Sequence, residues 1–121
     1  MYTIEINGKN YPLKFGFSFM LKLNKSYVRD DEAEGLEYSI AKIIDRDVAM
    51  LVDVILAANA TEDEKITRKE LIEWIEDDDT DIDKVFDEVE GFFEQANCTK
   101  NAYRNVMKLV QQMAEAVSNE A

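Results

Sequence analysis

The sequence specifies an α+β protein in which an N-terminal β-hairpin packs on a mostly helical bundle of about five helices. Two patterns lead to that class. Residues 1–16 alternate apolar and polar around an Asn-Gly pair, whereas from residue 17 onward the apolar residues recur at helical spacing. A two-stranded hairpin is not stable alone in water, so its apolar face requires the helices that follow. The 121 residues are enough for one domain with a core of its own, and no linker, repeat or low-complexity tract divides them. We therefore expect a single domain over 1–121, hairpin over 1–16 and helical over 17–118.

Tyr2, Ile4 and Ile6 share one strand face, and Asn7-Gly8 supplies the two residues that tolerate the positive φ of a type I′ turn. The returning strand is expected over Tyr11 to Phe15. Pro12 has no amide to donate, which leaves an outer edge of that strand open. Phe17, Met20, Leu21 and Asn24 then fit a short helix beginning near Ser18 and ending before the acidic run from Asp30 to Glu34, where Gly35 restarts the chain.

Leu36, Ile40, Ile43 and Ile44 form one stripe of a helix reaching about Arg46. Val48 to Ala60 is more apolar still, with Asp53 its one charge after Val48, and reads as the central buried helix. At about 13 residues it is too short to span a bilayer. Thr67 and Glu70 have capping-box spacing ahead of Leu71, Trp74 and Ile75. Val85, Val89, Phe92 and Phe93 mark the next helix, with aspartates at its positive end. The last stripe, Tyr103, Val106, Met107, Val110, Met113, Ala114 and Val117, is the most regular of all.

The formal charge is −12, well beyond the magnitude of roughly 2–8 usual for a small domain, so phosphate backbones and anionic lipid are repelled and neither nucleic acid nor membrane is an expected partner. There is no histidine, which removes the commonest general base and the usual zinc ligand, and Cys98 is alone. The four glycines are scattered and make no phosphate-binding loop. Neither catalysis nor a cofactor is expected. The lone thiol and the absence of a recognisable secretory signal suit a reducing cytoplasm.

Asp77, Asp79, Asp81 and Glu88 occupy positions 1, 3, 5 and 12 of a calcium loop, but position 6, where the loop needs glycine to turn, is Ile82. A register from Asp79 to Glu90 places Lys84 there instead. Two readings from other classes therefore stand beside protein binding: an acidic surface that imitates DNA and inhibits a nucleic-acid-binding protein, and a calcium-binding module.

The order Tyr-x-Ile-x-Ile-Asn-Gly-Lys-x-Tyr-x-Leu-x-Phe, then Phe-Ser-Phe-Met-Leu-x-Leu, then an apolar helix followed by Leu-Ile-Glu-Trp-Ile-Glu-Asp, resembles the tail assembly chaperones of long-tailed bacteriophages and prophages. That resemblance implies a non-enzymatic protein of the host bacterial cytoplasm, absent from the finished virion. It also implies two partners, the tape measure protein, whose long apolar helices it would keep soluble, and the tail tube protein. The family carries no residue motif to transfer. From the residues themselves, the expected contact surfaces are the hairpin edge at Tyr11, Leu13 and Phe15, and the last helix at Tyr103, Met107, Val110 and Met113. Both surfaces also leave room for self-association.

Overall fold

In the computed structural model, which describes residues 2–26 and 35–120, β1 (Tyr2–Ile6) pairs antiparallel with β2 (Lys9–Leu13). The turn between them has positive φ at both Asn7 (53°) and Gly8 (82°), as the Asn-Gly pair foretells. A two-residue turn leaves no slack, so β2 starts at Lys9 and Tyr2 faces Leu13. The returning strand thus lies two residues earlier than the expected Tyr11 to Phe15. Alternation then puts Ile4, Ile6, Tyr11 and Leu13 on the buried face.

The outer edge of β2 is engaged at its end by α3, which corrects the expectation of a wholly open edge. Lys14 N donates to Ala58 O at 2.8 Å, and the Pro12 carbonyl accepts from Asn59 Nδ2 at 3.0 Å. Both partners sit at the end of α3 (Val48–Asn59). The same Asn59 Nδ2 donates to Glu64 O at 2.8 Å, and its Oδ1 accepts from Ile66 N at 2.8 Å. One buried amide therefore joins the hairpin, the central helix and the approach to α4 (Arg68–Glu76).

Among the described residues six helices follow the hairpin. In α1 (Phe17–Ser26) the buried residues are Phe19 and Leu23, while Phe17 and Leu21 face solvent. The row 17, 20, 21, 24, apolar except for Asn24, competes here with the row 15, 19, 23. Phe15 decides between them, because its ring packs edge-on against Phe19 at 5.0 Å and also meets Tyr2, Phe92 and Phe93 at 5.6, 5.5 and 5.7 Å. The acidic run at Asp30 to Glu34 lies outside the described residues.

Gly35 opens α2 (Gly35–Ile44) in close contact with α1: a Cβ there would lie 2.4 Å from the Leu23 carbonyl oxygen. Leu36 N donates to Asn24 Oδ1 at 2.9 Å across the same contact. α2 ends at Ile44, two residues short of the expected Arg46, which adopts a left-handed φ of 61°. Bonds from Arg46 N to Ile43 O and from Asp47 N to Lys42 O close a Schellman-type end. Asp47 then caps α3 through Met50 N at 2.8 Å.

α3 is buried along most of its length, as its composition requires. Thr67 caps α4 through Glu70 N at 3.1 Å, but the Glu70 carboxylate turns away to accept the Tyr11 hydroxyl at 2.7 Å. Asp81 caps α5 (Ile82–Gln95), and α6 (Lys100–Glu120) packs against α2 and α5. Leu71, Val85, Phe86, Val89 and Phe93 complete the core.

Two substitutions separate the constraints at the glycines. Gly35→Ala drives a methyl group into backbone and is expected to cost about 2 kcal/mol or more, whereas Gly91→Ala, in open space within α5, should gain about 0.5–1 kcal/mol; denaturant unfolding reads both signs. Asn59→Ala leaves buried backbone groups without partners and should cost about 2–4 kcal/mol in the same measurement.

Candidate functional site: the overhanging end of α6

The corner between α5 and α6 is built by a buried threonine. Thr99 Oγ1 donates to Phe93 O at 2.7 Å, holding the start of α6 against the end of α5. Four residues on, the half-buried Tyr103 donates its hydroxyl to Glu90 Oε1 at 3.0 Å. The other Glu90 oxygen lies 3.7 Å from the Arg46 guanidinium, which also pairs with Asp87 at 2.6 Å and lies over the Phe86 ring at 5.2 Å. The left-handed turn at Arg46 and the root of α6 are thus fixed to the same stretch of α5. Burial of Tyr103, and then its bond to Glu90, push the phenol pKa up from its ordinary 10.0 to about 12.

Val106 is the last buried residue of α6 up to Val117, and Met107 is half-buried. From Lys108 through Val117 every residue is exposed, so about 15 Å of helix runs clear of the body. The apolar stripe does not stop where the packing stops. Leu109, Val110, Met113 and Val117 are 55, 37, 69 and 68% exposed, with Ala114 among them. They continue the face on which Val106 is buried, since steps of three and four residues keep to one side of a helix.

Of the expected contact residues, Tyr103 and Met107 form the root of this stripe and Val110 and Met113 its bare part. Leu109 belongs to it as well and is absent from the sequence-based set. Its position three residues after Val106 and four before Met113 is the signal that identifies it. Tyr11, Leu13 and Phe15 stand elsewhere: all three side chains are in the core, and the strand edge they were expected to expose is met by the end of α3 at Pro12 and Lys14. Phe17 and Leu21 form a smaller exposed apolar pair on α1.

The acidic loop between α4 and α5 has its own local architecture. Asp77 Oδ1 accepts from Asp79 N at 2.9 Å, Asp81 Oδ1 accepts from Lys84 N at 3.2 Å, and Thr80 Oγ1 donates to Trp74 O at 2.6 Å. α5 begins at Ile82, so Asp83 to Glu88 are helical and a twelve-residue calcium loop from Asp77 to Glu88 is not formed. Among the described residues no group of three or more His, Cys, Asp or Glu is placed to hold a metal ion. Trp74 packs partly against the core beside this loop.

An apolar cleft of about 490 Å³ lies between the hairpin and the α5–α6 corner, lined by Tyr2, Leu13, Phe15, Ala96 and the half-buried Cys98. Among the described residues no helix is long and apolar enough to cross a membrane.

Fold and site together define a small, strongly acidic α+β domain that carries the bare apolar face of a helix beyond its own core. The chain belongs to the phage tail assembly chaperones: the family model described as "Phage tail assembly chaperone protein, TAC" matches residues 3–108. No curated protein and no solved structure gives a significant match. The match ends at Lys108, where α6 leaves the body, so Leu109 to Val117 lie past the matched segment.

The raised phenol predicts a pH effect of definite sign. The unfolded chain releases the Tyr103 proton near pH 10 and the folded chain near 12, so the stability linked to it is complete below pH 10 and is lost as pH rises between the two. Ultraviolet titration of tyrosinate should therefore lose its highest-titrating component in Tyr103→Phe, while the wild-type protein retains it.

Proposed function

We propose that this protein is a non-enzymatic assembly chaperone that binds the tape measure protein in the bacterial cytoplasm, keeps its long amphipathic helices soluble and helps recruit tail tube subunits without entering the finished virion. Membership of the tail assembly chaperone family supplies the setting. The carrying observation is the exposed row Leu109, Val110, Met113 and Val117 on a helix whose base is rigidly held. An amphipathic helix of a client can lay its apolar side along such a row, read at steps of three and four residues. Tyr103 and Met107 form the fixed end of this surface, and the pliable thioethers of Met107 and Met113 suit it to more than one client sequence.

The charge of the body fits the same task. A client that would aggregate by its apolar helices gains, on binding, the repulsion of a domain carrying −12. Because the contact is apolar, client binding should persist at high salt, whereas capture of a basic nucleic-acid-binding protein by an acidic mimic would weaken steeply.

Co-expression with the tape measure protein of the same genome tests the reading. The client should appear in the soluble fraction and copurify with the wild-type chain, resist salt up to about 1 M, and fall several-fold in recovery with Leu109→Glu or Met113→Glu. Phe17→Glu, an equally exposed change on α1, serves as the control. Equal recovery in all three variants would remove the α6 stripe from the mechanism.

A further inference from the structure

We propose that, when no client is bound, two copies of this chain cover each other's α6 overhang by pairing antiparallel through Val110, Met113 and Val117. The pairing concerns the same face as the proposed client contact but does not depend on what the client is.

Three observations select a second copy as the occupant. First, Tyr103, Val106, Val110, Met113 and Val117 follow the alternating steps of three and four that define the seam of a coiled coil, without a break from the packed root to the bare tip. Second, the positions flanking the seam are Met107, Leu109, Ala114 and Ala116. These are the places where coiled coils carry the charges that choose partners, and here they carry none, so nothing opposes an identical helix. Third, the formal charges between Lys108 and Val117 cancel, Lys108 against Glu115, on a chain whose total is −12. Over these ten residues the overhang is thus an apolar surface without net charge, on which two such chains can meet with less repulsion than anywhere on the acidic body.

Charge also fixes the direction. A parallel pair would bring both acidic bodies to one end, side by side. An antiparallel pair places them at opposite ends of about 15 Å of helix, farther apart than the Debye length of ~8 Å at physiological ionic strength. About ten residues a side is fewer than the roughly 20–30 of a standard interface, so the pairing is reversible and depends on concentration. Its salt response follows from the same balance: added salt screens the repulsion of the bodies and leaves the apolar seam intact, so association strengthens as salt rises.

Sedimentation equilibrium of the purified full chain tests this. A monomer–dimer equilibrium is expected in the range of about 10 μM to 1 mM, tighter at high salt, with small-angle scattering showing an elongated dimer. Met113→Glu, on a side chain already exposed in the single chain, should raise the dissociation constant about tenfold or more while circular dichroism stays unchanged. A wild-type chain monomeric up to about 1 mM, a dimer that survives Met113→Glu, one weakened by salt, or one with its bodies side by side would each overturn the proposal. Failure here is distinguishable from failure of the chaperone reading: a monomeric wild type that still solubilises the client through Met113 removes the pair alone, whereas a dimer lost in Met113→Glu with client recovery unaffected removes the client contact alone.

Discussion

A single buried amide holds the architecture together. Asn59, at the end of the central helix, donates to the carbonyls of Pro12 and Glu64 and accepts from the amide of Ile66, so it reaches β2 and the connection to α4 at once. A two-stranded hairpin has little independent stability, so something must fix it to the helices in one register. The Asn59 amide and the adjacent Lys14–Ala58 bond do so, and the register they set carries Phe15 into contact with Phe19, Phe92 and Phe93. The aromatic center of the core is thus a consequence of where the hairpin is tied. The same tie engages the β2 side of the hairpin at Pro12 and Lys14, which obstructs another strand from adding along that end of it.

The acidic residues divide into two kinds. Some have local work: Asp47 and Asp81 cap helices, Glu70 and Glu90 accept tyrosine hydroxyls, and Asp87 pairs with Arg46. These explain why carboxylates stand at those positions, and each stabilises by about a kilocalorie per mole or less where it is exposed. The remainder set the field of the whole molecule. A body of that charge keeps its neighbours at a distance, and the stretch of α6 from Lys108 to Val117, apolar and without net charge, is an exception built into it.

Much of this was legible in the sequence because local rules and tertiary packing agree. Asn7-Gly8 dictates the turn, Thr67 dictates the start of α4, and the run from Val48 to Ala60, apolar over more than three helical turns, forms the buried helix its composition suits. The ambiguities fall where two local solutions are nearly equal. α1 offers two apolar rows, and only the position of Phe15 selects the one through Phe19 and Leu23. The aspartates from Asp77 to Asp81 suit a metal loop or a pair of caps, and the early start of α5 at Ile82 decides for caps. The role of Asn59 leaves no trace in the sequence, because its partners lie 47 residues before it and 5 and 7 after. At the candidate site the periodicity finds the stripe but not its exposure: nothing in the spacing of Val106 and Val110 tells that the core ends between them.

That ending has a physical reason. A helix is as long as its own hydrogen bonds and propensities permit, but its apolar face is covered only as far as its neighbours extend. α6 has 21 residues, while α2 and α5, on which it packs, have 10 and 14. The excess is placed at one end because Thr99 and the Tyr103–Glu90 bond anchor the other. If the overhang had no partner, polar residues at 109, 110, 113 and 117 would keep the helix and remove the cost of leaving four large apolar side chains in water. The sequence instead continues the stripe with valine, leucine and methionine past the last packed turn. A bare apolar row on a rigid base is a surface shaped for association, and the charge of the body leaves it as the place where association meets least resistance.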